Sequence, residues 1–205
     1  MNIDSWFIMK PMGYSDALKL GAQKLAQIPP QTVCDACGAR YENGEFFLTW
    51  FNRERALSSV SQNLKILWLH YLTANGSKTL SGRLIAYREA APALFYEANF
   101  YKRAVKPLAA FFGKNPQKLI EAGESLGGKT AAFGDAAVTI NALPCLPITF
   151  IIWAGSEEFP PEGNILFDQT AKTWFSAEDL AVLASAAVRE LTDAGLEPTT
   201  FSSGG

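Results

Sequence analysis

The run at residues 148–153 (ITFIIW) constrains the fold more than any other stretch of this chain. Only Thr149 relieves it, and its β-branched and aromatic content fits a strand buried on both faces at the centre of a sheet. Pro144 and Pro147 have no N–H for a ladder and bracket the connection leading into it. Upstream, residues 136–141 set Val138 and Ile140 against Thr139 and Asn141, the alternation of a half-buried strand. Downstream, Gly155 and Ser156 end the run, and Glu157, Glu158, Phe159, Pro160 and Pro161 form a stiffened acidic turn. Residues 164–168 supply a third short strand. Ser176 and Asp179 then have capping-box spacing for a last helix over 177–194.

The rest of the chain reads as cover for this hairpin. Residues 1–13 are apolar and hold Trp6 and Phe7, an arm expected to dock on the body. Ser15 is placed to cap a helix over 16–28, which Pro29 and Pro30 stop. The Asn43–Gly44 turn leads into a strand over 46–51. Residues 63–73 carry Leu64, Leu67, Trp68, Tyr71 and Leu72 on one broad helical face, and Asn75–Gly76 ends that helix. A short strand follows at 84–87. A longer helix over 95–112 has Tyr96, Phe100, Val105, Leu108 and Phe111 as inward positions, and Pro107 is expected to kink or split it. Pro116 opens another helix, which Gly127–Gly128 closes. Strands early and late, with helices between, predict an α+β fold: a mostly antiparallel sheet with helices packed against it. Residues 1–30 read as an arm and helix on the body, 31–196 as one domain, and 197–205 as a disordered tail.

The 205 residues carry a net charge of −2, from 18 basic and 20 acidic side chains. There is no basic stripe for a phosphate backbone, so nucleic acid is not an expected partner. No apolar run approaches a membrane span, and the acidic Asp4 stands ahead of the apolar Trp6, Phe7 and Ile8, the wrong order for a signal peptide. Three cysteines point to a reducing cytoplasm. Only 19 % of residues are charged while 12 % are aromatic, a composition suited to a large interior or an adhesive surface.

Several residues are candidates for chemistry. Cys34 and Cys37 have zinc-knuckle spacing, but a closed site needs four ligands, and only Cys145 and His70, on distant elements, remain as soft donors. His70 flanks the apolar helix. Two readings stand: a core histidine bonded to backbone, or an axial ligand to a haem or corrinoid in a pocket walled by Trp68, Tyr71 and Tyr87. Arg83, Arg88, Arg103 and Lys106 fall around the middle strand and helix; Glu157, Glu158 and Asp168 fall around the late hairpin. They read either as salt bridges pinning helix to sheet or as a polar pocket with carboxylates for acid–base work or a hard cation. In particular, Glu157 or Glu158 is expected at the sheet rim, partly buried, with Arg83 or Arg88 as its partner. The segment from Gly123 to Thr130 satisfies the P-loop pattern, but a helix precedes it and an extended segment follows, the wrong context for a phosphate cradle.

The phrases LGGK, GDAAV, ALPCLPITFIIW, EEFPP, ILFD and AEDLAVL, in this order, resemble a family of domains of unknown function found mainly in anaerobic prokaryotes. LWLHYLTANG, SGRLIAYRE and FYKRAVKPLAAFFG extend the resemblance, so that it covers residues 41–191. Some of its members are joined to a small cysteine-rich iron–sulfur domain. The resemblance implies a fold unit and an anaerobic setting, and no catalytic residue. The expected function is an accessory protein of anaerobic metabolism that binds a small molecule or cofactor. The alternatives are a metal-dependent hydrolase-like enzyme using Glu157, Glu158 or Asp168, and an interaction module that meets an iron–sulfur or redox partner through the Trp6–Phe7 arm or the EEFPP turn.

Overall fold

The computed structural model describes residues 13–75, 78–90 and 94–196, except the side chains of Leu94 and Phe95. The Trp6–Phe7 arm and the 197–205 tail lie outside the described residues. The predicted apolar run forms β7 (Leu146–Trp153), the middle of five antiparallel strands. Its neighbours are β6 (Ala136–Leu143) and β8 (Glu162–Asp168), with the short strands β5 (Lys129–Thr130) and β4 (Leu84–Ala86) at the two edges, in the order β4-β8-β7-β6-β5. Register follows the pleat: Phe150 lies between Val138 and Ile165, and Ile148 between Ile140 and Phe167, all 1 % exposed or less. This face is the core wall. On the opposite face Thr139 and Thr149 share a 2.8 Å hydroxyl–hydroxyl hydrogen bond across the ladder, which satisfies the one polar side chain in the middle of β7.

A second sheet is an antiparallel meander of β1 (Arg40–Glu42), β2 (Glu45–Trp50) and β3 (Arg53–Ala56). Asn43 and Gly44, both at positive φ, make the expected tight turn between β1 and β2. A second turn, Phe51–Asn52, was not foreseeable from turn chemistry: Phe51 takes φ 47° and Asn52 φ 61°. A bulky aromatic in that region is unusual. Burial offsets it, since Phe51 is 1 % exposed, packs edge-on against Trp50 and donates its N–H to the Ala142 carbonyl at 3.3 Å. The meander is thereby pinned to β6.

Helices pack against the five-stranded sheet and over one another. They are α1 (Tyr14–Ala26), α2 (Pro30–Cys37), α3 (Gln62–Thr73), α4 (Tyr87–Ala90), α5 (Leu94–Phe100), α6 (Lys106–Phe112), α7 (Gln117–Ser125), α8 (Ala171–Trp174) and α9 (Ala177–Leu196). Gly13, not Ser15, stands at the N-cap of α1. Residues 30–37, left without an assignment by the sequence, are helical because Pro30 fits the first turn and Gly38 the left-handed C-cap. The 95–112 segment is helical without interruption, so Pro107 does not split it; the irregularity is a π turn just ahead of that proline. Residues Tyr101–Val105 form a π turn in which the Lys106 N–H reaches the Tyr101 carbonyl five residues back, and Pro107 opens α6 beyond it. Tyr96, placed inward by the sequence pattern, is exposed, whereas Phe100 and Leu108 are buried. The capping box forms: Ser176 Oγ accepts from the Asp179 N–H, and Asp179 Oδ2 accepts from Ser176 N–H and Oγ. The protein is thus α+β. No helix among the described residues is long and apolar enough to cross a membrane.

Candidate functional site

The residues that stood out in the sequence do not converge. Asp168, 2 % exposed at the end of β8, accepts hydrogen bonds from Ser81 N–H and Oγ, Gly82 N–H, and Thr170 N–H and Oγ. Burial pushes its carboxyl up, but the donors from Thr170 and Ser81 outweigh that and hold it at about 2. It clamps two loops. Glu157 and Glu158 lie past the end of β7, near the start of β8, and so at the opposite end of β8 from Asp168. The expectation that one of them is partly buried with an arginine is overturned: both are exposed, and neither makes an ion pair with a described residue. The reason is the stiff turn itself, which closes on Ser156, with the N–H groups of Glu158 and Phe159 donating to Ser156 Oγ, and holds the carboxylates in solvent. Arg83 instead faces Glu89 at 3.8 Å, an exposed contact, and Arg88 is exposed. The three carboxylates therefore lack the shared pocket that acid–base or hard-cation chemistry requires.

His70 is half-buried. Its Nδ1 lies 2.9 Å from Asp179 Oδ1, so the pair ties α3 to the N-terminus of α9. The hydrogen bond to Asp179 raises the imidazole pKa against the opposing effect of burial. Tyr71 and Tyr87 are buried structural tyrosines. Tyr71 Oη donates to the Cys37 carbonyl and accepts from the Cys145 N–H; Tyr87 Oη donates to the Ala177 carbonyl. The expected pocket walls are filled by ring packing: Trp68 against Trp50, Tyr71 against Trp174 and Phe175, and Tyr87 stacked on Phe100.

Cys34, Cys37 and Cys145 are free. Cys145 is closer to Cys37 than chain separation suggests, since both residues bond to the Tyr71 hydroxyl through their backbones. Among the described residues no group of three or more His, Cys, Asp or Glu is disposed to hold a metal. Burial raises the Cys37 thiol to about 11, and its Sγ lies 3.7 Å from the Tyr71 carbonyl, the environment of an inert core thiol.

One groove does gather unengaged charge. It holds about 220 Å³ between the end of β2, the start of α3, the π turn and α9. Arg103 projects from the π turn and Arg189 from α9, and neither forms an ion pair with a described residue. Glu190 also lines it, but its Oε1 is taken by the Trp50 indole N–H at 2.8 Å. Ser61, Asn63 and Ser185 add neutral donors. Ser61 caps α3 without a side-chain hydrogen bond, which leaves the first-turn N–H groups without a capping side chain at the groove. Two guanidinium groups, a helix N-terminus and hydroxyl donors favour an oxyanion. Sequence reasoning grouped Arg103 with the wrong carboxylates and passed over Arg189; the signal available was the i, i+4 spacing of Ser185 and Arg189 on one face of the last helix.

The described residues thus form an α+β fold in which Arg103 and Arg189 line one groove. The chain belongs to the family described as Domain of unknown function (DUF3786), whose sequence pattern matches residues 29–190. No curated protein and no solved structure matches it.

Proposed function

We propose that this is an accessory domain that binds a small anionic molecule in the groove between Arg103 and Arg189. The observation that carries the reading is the pairing, across one concave surface, of two guanidinium groups from different elements with no carboxylate partner among the described residues. A structural arginine ordinarily has an acceptor; these two are left to a ligand or to water. At about 220 Å³ the groove is below the ~300–1000 Å³ of drug-sized sites. It fits a phosphate or a short carboxylate better than a haem or corrinoid. The setting, anaerobic metabolism beside iron–sulfur partners, rests on the resemblance of the sequence alone.

The test is a titration of the full chain with inorganic phosphate and with succinate, read as melting temperature. At one hundred times Kd a ligand raises stability by about 2.7 kcal/mol. Arg103→Ala and Arg189→Ala should each abolish the rise without lowering the unliganded melting temperature. Absence of any rise in the parent at tens of millimolar ligand would remove the reading. An absorbance spectrum of the purified protein tests a coloured cofactor separately.

A second reading, an interaction module, is supported by Phe159. This ring is 69 % exposed at the tip of the EEFPP turn, between two carboxylates and two prolines. Single exposed aromatics are common on protein surfaces, so this reading ranks below the first.

A further inference from the structure

We infer that the cleft beside the Phe51–Asn52 turn is a second binding site, built for a neutral ligand that presents a planar amide edge and is no larger than one ring. This inference stands on a different cavity and different residues from the anion groove. The two sites flank the same hairpin tip: Trp50 lines the groove, and Asn52 lines the cleft.

The cleft holds about 230 Å³, and none of its lining residues is charged. Its polar side chains are Thr49, Asn52 and Asn141, all exposed and none hydrogen-bonded to another described residue. Thr49 stands on the regular ladder of β2, and backbone irregularities place the two asparagines beside it. The Phe51–Asn52 turn sets Asn52 at φ 61°, while burial of Phe51 holds the turn shut. A register shift between Asn141 and Leu143 breaks the β6–β7 ladder where Asn141 stands, and a bulge of this kind re-aims a side chain. Gly127 closes α7 at φ 80°, a conformation that favours glycine, and a Cβ there would crowd the Asn52 side chain at 3.2–3.3 Å. Leu126 and Gly127 of the LGGK phrase and the N-terminal part of the NALPCLP hairpin thus meet at one opening.

A carboxamide carries a donor and an acceptor side by side, and two of them with a hydroxyl match the donor–acceptor edge of a lactam or nucleobase. An anion finds no cation among the lining residues. A cofactor with several rings exceeds the volume. The chemistry is therefore that of a single neutral heterocycle such as uracil.

The experiment is a nitrogen-15 NMR titration of the full chain with uracil, followed through the side-chain amide signals of Asn52 and Asn141, with glucose and inorganic phosphate as parallel arms. Uracil should move both signals saturably at millimolar concentration. Asn52→Gly keeps a residue that favours φ 61°, so the fold survives, and it should weaken binding at least tenfold; Asn141→Thr should weaken it without unfolding β6. Phosphate should leave both amide signals in place whether or not it binds the groove. No saturable shift with uracil, an equal response to glucose, or unchanged affinity in Asn52→Gly would each overturn the assignment.

Discussion

In the five-stranded sheet the buried polar side chains are engaged, whereas in the three-stranded meander the polar side chains are outside and, at its far tip, unengaged. Asp168 has five hydrogen-bond donors, and Thr149 has Thr139. In the meander Arg40 bridges Glu42 and Glu54 on an exposed ladder, and Thr49 and Asn52 face open clefts. Burial explains the difference. A polar group in an apolar layer is tolerated only when its hydrogen-bonding capacity is used up by the protein, which leaves nothing for a ligand. At the meander tip, segments distant in sequence meet at a solvent boundary, and capacity is left over.

The comparison breaks most visibly if Asp168 proves dispensable. Asp168→Ala strands several donors around a buried position and should cost about 3 kcal/mol or more in urea denaturation. The parent should also show the effect in its acid limb. The folded carboxyl sits at about 2, below its ordinary value, so its contribution is complete above about pH 4 and drains away as pH falls towards 2. The difference between parent and variant should therefore shrink over that window. A constant difference would mean that the clamp acts by shape and not by charge.

The next largest effect tests the closeness of the core wall. A Cβ at Gly123 on α7 would lie 2.4 Å from Val138 Cγ2 on β6. Gly123→Ala should destabilise by ~1–3 kcal/mol, because α7 must lift off the sheet. Gly123→Ala combined with Val138→Ala should recover part of that loss; no recovery would show that the contact is not where helix and sheet are closest.

A smaller effect belongs to the pair that spans the two helices. The His70 imidazole is raised above 6.5 by its bond to Asp179, so its contribution is complete below pH 6.5 and is lost as pH rises through the folded value. Burial pushes Asp179 up, but the bond from His70 and the Ser176 donors bring it below 3.8, so its contribution is complete above that pH and lost in acid. The pair stabilises most between those limits. His70→Gln should lower stability by about 1 kcal/mol near pH 5, in line with a half-exposed ion pair, and by less above pH 8. A pH-independent deficit would reduce the imidazole to packing.

Much of the architecture was legible because periodicity reports burial, and burial is what a sheet centre requires. Residues 148–153, the Asn43–Gly44 turn and the Ser176–Asp179 box each announce a local rule that the structure obeys. The candidate groove was not legible for the complementary reason. Nothing local marks Arg103 and Arg189, 86 positions apart, as neighbours across a groove, and Phe–Asn carries no turn signature. The conspicuous residues, Asp168 and Tyr71, drew notice because they were polar among apolar neighbours. That context is what commits them to structural hydrogen bonds.

The smallest expected effect sharpens the comparison at its most exposed point. Glu157 and Glu158 stand at the rim of the large sheet, where the sequence suggests a buried pair and the structure shows none. If the rule linking burial to engagement holds, these two carboxylates belong with the meander's surface charges and not with Asp168. Glu157→Gln and Glu158→Gln should then each change stability by less than about 0.5 kcal/mol. Their melting temperatures should respond to salt as the parent's does, since an exposed charge without a partner has little Coulomb energy to screen. Phe159→Ala, at the same tip, should be equally silent in stability while changing any association that the turn supports. A loss of 2 kcal/mol or more in either glutamine variant would place a cation beside the turn and make the EEFPP segment part of the engaged interior.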